Sequence, residues 1–316
     1  MSAQSNVTIE STIEPPAIPP PAILSPTRPF YWSVRRELWE YRSLIVGPLV
    51  AAGVVLFGFL LGTLGLRNHL GDLSKLEPAK RAAMLAIPYG FAAMAIMVTG
   101  LIVAVFYCLG ALHNERRDRS ILFWKSLPVS DPVTVLSKAF IPLVVLPLVV
   151  LAVIAATQLI MLLTSTLALL AAGQDASAPW TQIPWPRVYL ILPYGLAALA
   201  LWYAPVFGWL MLVSGWAKRA PFLWAVLPPL ALCLVEKIAF DTTNFASLLG
   251  YRLNGVFGEA FALPERHWAG GDPVSGSLPR IDPAGLLSTP GLWAGLVFAA
   301  ACLAAAIWQR RYREPV

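Results

Sequence analysis

Long apolar runs alternate with short polar stretches along most of this 316-residue chain. Six runs are long enough to cross a bilayer core, which takes roughly 20 helical residues. The third run exceeds one perpendicular span, so we expect it to tilt, kink near Pro142 and Pro147, or project beyond the membrane. Two spans are the alternative, although the run lacks a charged or Gly-rich turn at its middle. The predicted spans lie near residues 43–66, 84–112, 139–172, 188–216, 220–240 and 290–308.

Two different segments precede the first run. Residues 1–29 are rich in proline and small or polar residues, a composition that predicts a disordered tail. Residues 30–44 predict an amphipathic helix in the membrane interface, with Trp32 and Trp39 at the headgroup level. A simple extension of the first span is the alternative. The apolar positions of this helix recur at spacings of three and four, at Tyr31, Val34, Leu38, Tyr41 and Ile45.

The segment 241–289 is long for a connection without structure of its own. Its first part, Phe245 to Phe261, is too apolar for a free loop and too short to span the membrane twice. A re-entrant or a surface helix would fit. The second part, 269–283, is rich in Gly and Pro and predicts an exposed loop.

Composition agrees with a membrane protein. Hydrophobic residues make up 58% and charged residues 13%, whereas soluble domains carry about 25% charged residues. The simplest organisation is a single transmembrane domain over residues 30–316. The net charge of +6 suits membrane orientation better than nucleic-acid binding, since the basic residues cluster at the ends of apolar runs. With 14 Lys and Arg on one side and 8 on the other, we expect cytoplasmic N- and C-termini in the cell (inner) membrane.

Residues that would carry catalysis are scarce. The chain has no phosphate loop, no H-E-x-x-H and no G-x-S-x-G motif, so we expect no enzyme activity, cofactor or metal in it. The cysteines lie within apolar runs and predict neither disulfides nor a metal site. Glu236 and Lys237 are the charges inside a predicted span. They are interpreted as paired or snorkelling interface residues, and an ion relay is the alternative.

The most charged stretch of the chain is His113 to Ser130, between the second and third spans. It predicts a short amphipathic helix on the cytoplasmic face that ends at Pro128, with exposed groups that contact a soluble partner. Ser130 and Asp131 are placed to cap a second short helix, which runs from Pro132 towards Lys138.

Residues 113–138 resemble the corresponding segment of the membrane subunits of type-2 ATP-binding cassette (ABC) exporters. That family's segment reads roughly Glu-Arg-x-x-Gly-Thr-Leu, then Pro-Val-Ser, then a Lys. Arg119 departs from the pattern, since it stands where the family usually has Gly, and this puts the turn or its partner contact in doubt. The matching positions here are Glu115-Arg116, Ser120, Ile121, Pro128-Val129-Ser130 and Lys138.

The resemblance implies a fold and a mechanism. The fold would be an all-α polytopic membrane protein, type-2 ABC exporter-like, with six transmembrane helices, an N-terminal interfacial helix and a cytoplasmic coupling helix. Two permease copies, as a homo- or heterodimer within membrane lipid, would form the pathway. A separate ABC ATPase subunit carrying ATP and Mg would dock near residues 115–130. The implied ATPase-coupling residues are Glu115, Arg116, Arg117, Arg119, Ile121, Leu122, Trp124, Leu127 and Pro128.

The resemblance indicates no particular substrate, and no substrate-binding residues are predicted. Two other functions fit the same topology. One is a polytopic membrane scaffold or assembly factor without a transport cycle, and the other is a secondary transporter. ATP hydrolysis by a reconstituted complex would separate the exporter from the scaffold.

Overall fold

The computed structural model describes residues 27–66, 78–118, 130–173, 175–262 and 279–312. Helices make up nearly all of this part of the chain. Two short strands, β1 (Phe261–Ala262) and β2 (Arg280–Ile281), pair antiparallel. The helices are α1 (Thr27–Glu40), α2 (Ser43–Leu66), α3 (Pro78–Ala111), α4 (His113–Arg117), α5 (Asp131–Phe140), α6 (Leu146–Ala171), α7 (Ala178–Thr181), α8 (Trp185–Trp216), α9 (Pro221–Phe240), α10 (Asn244–Asn254), α11 (Val256–Ala260), α12 (Pro283–Ser288) and α13 (Pro290–Tyr312).

Six helical segments within the described residues are long and apolar enough to cross a membrane. This confirms the predicted all-α, multi-pass membrane architecture. The bounds agree with the predicted spans within about five residues, except that the third span begins eight residues earlier than predicted, at Asp131. The segments are Ser43–Thr63, Leu85–Arg117, Asp131–Ala171, Trp185–Trp216, Pro221–Phe240 and Pro290–Tyr312.

The third span is one helical stretch of 41 residues, from Asp131 to Ala171. The predicted separate helix ending near Lys138 is therefore wrong, because α5 continues through a π-helical turn, Ile141–Val145, into α6. Pro142 lies in that turn and cannot donate an amide hydrogen bond, which explains the local widening. The predicted side-chain cap at Ser130 does not form. A helix of this length measures about 60 Å, so it extends beyond the roughly 30 Å hydrocarbon core or tilts strongly within it.

The helix α8 lies at the centre of the bundle and buries Trp202 and Met211 completely. It approaches α13 closely at Gly208, where an added Cβ would lie 3.2 Å from both the Cα and the carbonyl oxygen of Ala299. Two helices can come this near only where one of them has no side chain. The same argument applies to α3 and α6, since a Cβ on Gly100 would lie 2.6 Å from a Val150 methyl.

The helix α9 contrasts with α8, because Ala225 is its one buried residue. Trp209 of α8 attaches it by donating an indole hydrogen bond of 3.0 Å to the Ala225 carbonyl. The rest of α9 exposes large apolar side chains on all sides. In a membrane protein such a surface faces lipid or another membrane subunit.

The predicted apolar segment after α9 forms two helices, α10 and α11, which meet at Gly255. We call α10 and α11 the hairpin. Its turn lies beside Trp202 and Tyr203, at the middle of the 32-residue α8. The re-entrant helix and the surface helix both stay predictions for this segment. The strand pair β1–β2 then joins the end of the hairpin to the chain that leads into α12.

The helix α1 begins and ends slightly earlier than the predicted 30–44 helix. Only the middle of its predicted apolar stripe faces the protein. Val34 and Leu38 pack against the main apolar core, and Phe30 meets Phe140 of α5 edge to face at 5.4 Å. The aromatic residues Tyr31, Trp32 and Trp39 are the ones that point away from the protein.

Candidate functional site

One end of the bundle contains a cluster of six charged side chains from four separate parts of the chain. Arg36 and Glu37 come from α1, Glu115 from α4, Asp131 and Lys138 from α5, and Arg310 from α13. We call these six residues the ion-pair cluster and this end of the bundle the ion-pair end. The six comprise three cations and three carboxylates, and a further carboxylate, Glu40, lies 3.8 Å from Nε of Arg36 at the edge of the cluster.

Lys138 is the centre of the cluster and has no exposed surface. Its Nζ lies 2.7 Å from Oε1 of Glu37 and 3.2 Å from Oε1 of Glu115. Glu37 is 1% exposed and also accepts a hydrogen bond of 2.9 Å from the Tyr107 hydroxyl through Oε2. One lysine therefore joins the start of the third span to α1 and to the end of the second span.

Arg310 makes the second set of connections. Its Nη1 lies 2.6 Å from Oε2 of Glu115, and its Nε lies 3.0 Å from Oδ1 of Asp131. Glu115 precedes the segment 119–129 and Asp131 follows it. The last span thus holds both ends of the segment that connects the second and third spans.

Arg36 completes the cluster at the protein surface. Its Nη2 lies 2.9 Å from Oε1 of Glu37 and 3.0 Å from Oε1 of Glu115. Burial disfavours the charged guanidinium, but the neighbouring carboxylates, Glu37 foremost, outweigh this and hold the pKa of Arg36 above its ordinary value. It remains a cation and balances the two glutamates together with Lys138.

The local sequence explains why these charges point inward. Glu37 lies three residues after Val34 and four before Tyr41, so helical periodicity puts it on the buried face of α1. In α5 the buried residues Thr134, Val135 and Lys138 share one face in the same way. The apolar face of α1 therefore carries one negative charge, Glu37, and the apolar face of α5 carries one positive charge, Lys138. Where the two faces pack together, these charges form an ion pair.

Hydrogen bonds also attach the C-terminal end of α8 to the ion-pair end. The Ser214 hydroxyl accepts hydrogen bonds from the amides of Leu112 and His113, at 3.0 and 2.9 Å. The guanidinium of Arg116 donates to the Gly215 carbonyl. The junction of α3 and α4 is therefore held by α8 as well as by the ion-pair cluster.

The energetic character of the cluster follows from burial. Moving a charge out of water is costly, and a buried ion pair is stable only where each charge keeps its partners. Loss of one partner from a buried pair typically costs about 3–5 kcal/mol, because the other charge stays buried and uncompensated. The arrangement therefore favours a rigid connection between α1, α4, α5 and α13. Each carboxylate of the cluster is paired with a cation.

The structure corrects part of the predicted contact surface. Glu115 and Arg116 were predicted to be exposed groups that meet a partner, but both are buried and bond within the protein. Arg117 is exposed and pairs with Asp118 at 3.2 Å. The other predicted coupling residues lie outside the described residues: Arg119, Ile121, Leu122, Trp124, Leu127 and Pro128. Their coupling role stays a prediction.

The sequence prediction missed Glu37, Lys138, Arg310 and Tyr107 as site residues. Glu37 carried a usable signal, because it is an acid on the apolar face of an amphipathic helix. Lys138 carried one too, since it occupies the family's Lys position. Arg310 looked like an ordinary basic residue after a last span, and Tyr107 lies in an apolar run, so only the tertiary structure identifies them.

Glu236 and Lys237 take part in local contacts at the turn between α9 and α10. Lys237 Nζ lies 2.6 Å from Oδ1 of Asp241. Glu236 accepts hydrogen bonds from the amides of Asn244 and Phe245, both at 2.8 Å, at the start of α10. Lys237 is thus paired, as one reading of the sequence predicted, whereas Glu236 is held by backbone amides and by no cation among the described residues.

Comparison with known proteins gives no relative. No family model matches the chain, and neither a curated protein nor a solved structure matches it. Within the described residues, no group of three or more His, Cys, Asp or Glu side chains is placed to hold a metal ion.

Proposed function

We propose that this chain is the membrane-spanning permease subunit of an ATP-driven ABC exporter. A separate ATPase subunit binds ATP and Mg, and a second permease copy, identical or related, completes the pathway. The proposal rests on the resemblance of residues 113–138 to the coupling segment of type-2 ABC exporters, together with the six-span architecture.

One structural observation supports it above the others. Arg310 pairs with Glu115 and Asp131, which flank the segment 119–129 on either side. A force applied to that segment by a bound ATPase would therefore reach the second, third and last spans together, and α1 through Lys138. A coupling element needs such a joint, since a partner shifts a conformational equilibrium only if its contacts differ between the two states.

The experiment is co-purification of a phosphate-loop ATPase with the tagged full-length chain from its native membrane, followed by ATP hydrolysis in nanodiscs. The double variant Arg117→Glu with Trp124→Ala alters the predicted contact surface and leaves the buried cluster intact. We expect it to lose most of the co-purified ATPase while the chain itself stays folded. Lys218→Ala is the matched control, because it removes an exposed cation from another connection at the same end.

Two results would count against the proposal. One is the recovery of no ATPase with the wild-type chain. The other is an ATPase that stays bound, with unchanged hydrolysis, in the double variant. A membrane scaffold would behave differently again, since its assemblies would be recovered equally with and without nucleotide.

A further inference from the structure

The outward face of α1 carries a cation between two tryptophans. The guanidinium carbon of Arg35 lies 5.1 Å from the ring centroid of Trp32 and 4.7 Å from that of Trp39. The two tryptophans are 56% and 67% exposed. Arg35 forms no ion pair with any described residue. The site is thus a positive charge flanked by two exposed aromatic rings.

The acidic residues of α1 do not cancel this charge. Glu37 faces the opposite way and is neutralised inside the ion-pair cluster. Glu40 lies near Arg36, at 3.8 Å from its Nε. The outward face therefore presents a positive charge and apolar rings, a combination complementary to an anionic headgroup at the edge of a hydrocarbon layer.

The position of α1 along the bundle matches such a layer. Only two residues separate the end of α1 from the start of α2, so α1 lies where the first span enters the membrane. At the same end, Arg311 stacks over Tyr312 at 5.6 Å, beside the exposed Trp308. Tryptophan and tyrosine concentrate at the headgroup level of membrane proteins.

We propose that Arg35, held between Trp32 and Trp39, binds the phosphate of an anionic membrane lipid at the ion-pair end. The planar guanidinium presents donors in a fork that matches phosphate geometry, and the two rings limit its orientation through cation–π contact. The occupant is a bilayer lipid because the flanking rings provide the apolar contact that a free phosphate cannot use. This inference does not rest on the proposed transport function.

The proposal gives α1 two anchors on opposite faces. Glu37 attaches one face to Lys138, and the lipid attaches the other face to the membrane surface. Anionic lipid would thereby hold the whole ion-pair cluster at a fixed depth in the bilayer.

The test measures lipid retained by the full-length protein. The protein is reconstituted in nanodiscs of equal parts phosphatidylcholine and phosphatidylglycerol, re-extracted in mild detergent, and its bound lipids are quantified by mass spectrometry. We expect the wild type to retain phosphatidylglycerol preferentially and Arg35→Gln to lose about fivefold of that preference. Arg35→Lys should keep part of it, since lysine supplies the charge without the planar fork. Arg117→Gln is the control, because Arg117 is an exposed cation paired with Asp118 and no aromatic ring among the described residues stacks on it.

Several outcomes would overturn the proposal. The first is equal phosphatidylglycerol retention by the wild type and Arg35→Gln. The second is an equal loss of retention in Arg35→Gln and Arg117→Gln, which would show that only the net charge of the protein matters. Displacement of the lipid by inorganic phosphate would assign the site to free phosphate. Unchanged lipid with loss of a co-purified protein would make this face a protein contact. A thermal unfolding curve for each variant that matches wild type excludes misfolding as the cause.

Discussion

The ion-pair end and the region around the hairpin, which lies farther along α8 and which we call the hairpin end, join distant parts of the chain by different means. At the ion-pair end, α1, α4, α5 and α13 meet through buried charges centred on Lys138 and Arg310. At the hairpin end, α8 holds the hairpin through neutral donors. The indole of Trp202 donates to the Arg252 carbonyl at 2.8 Å, and the hydroxyl of Tyr203 donates to the Leu253 carbonyl at 2.6 Å.

The hairpin end also contains an arginine, but this arginine contacts an aromatic ring and a backbone carbonyl instead of a carboxylate. Arg252 stacks over Trp202 at 4.7 Å and donates through Nη2 to the Gly291 carbonyl at 2.9 Å. No carboxylate among the described residues pairs with it. Here aromatic donors satisfy backbone carbonyls in the last turn of α10, and the Arg252 cation donates to a further carbonyl. At the ion-pair end, charges satisfy one another. The first kind of contact is expected to fail gradually and the second abruptly, since one lost partner leaves a buried charge unpaired.

The largest effect is expected for Lys138→Met. It leaves Glu37 and Glu115 with less positive charge in a buried site, and we expect a loss of about 3–5 kcal/mol in stability. The measurement is the thermal unfolding midpoint of the detergent-purified full-length chain. Adding Glu37→Gln should restore part of the loss because it removes one of the two carboxylates. A midpoint unchanged in the single variant would contradict the assigned role of Lys138.

A matched pair of tyrosine variants compares the two ends directly. Tyr107→Phe removes a hydrogen bond to the buried Glu37 carboxylate, and bonds to charged groups contribute about 1.5–3 kcal/mol. Tyr203→Phe removes a bond to the neutral Leu253 carbonyl, for which about 0.5–1.5 kcal/mol is expected. Chemical or thermal unfolding of both variants provides the measurement. An equal or larger loss at Tyr203 would remove the distinction between the ends.

Gly295→Ala tests the packing of the hairpin end. An added Cβ would lie 1.5 Å from Nη2 of Arg252 as it now stands, so the guanidinium must leave its place against Gly291. Because that side chain is flexible, we expect a cost of about 1 kcal/mol, near that of one hydrogen bond. Gly58→Ala in α2 is the control, since nothing lies within 4 Å of its added Cβ. Equal stability of the two variants would show that the Arg252 contact contributes little.

The smallest effect is expected for Arg117→Gln. Its pair with Asp118 is exposed on both sides, and such pairs contribute about 0–1 kcal/mol. The unfolding midpoint should therefore stay close to wild type. A loss as large as that of Lys138→Met would mean that Arg117 belongs to the structural cluster after all.

Sequence periodicity predicted the spans well because a bilayer imposes a length and an apolar composition that few other structures share. It failed at the boundary of the third span. The polar residues Asp131 and Lys138 suggested a separate helix outside the membrane, yet both are neutralised by partners on other helices. A pattern along one chain segment does not show which charges will be paired from elsewhere.

The candidate site was predictable only in part for the same reason. The resemblance located Glu115 and Lys138 by register, whereas Glu37 was missed although it lies on the apolar face of α1. The contribution of Arg310 depends on contact between residues 195 apart in the chain. Sequence spacing carries no information about such a pairing, and Glu115 is buried rather than exposed because Arg310 pairs with it.

The last span holds the segment between the second and third spans in place through the pair of Glu115 and Arg310, and we call this contact the clamp. A double-mutant cycle with Glu115→Gln and Arg310→Gln, read out as the free energy of unfolding of the full-length chain, tests it most directly. We predict that the double variant is more stable than the sum of the single losses by about 1–3 kcal/mol, since each single change strands a buried charge. Strictly additive losses would contradict the clamp.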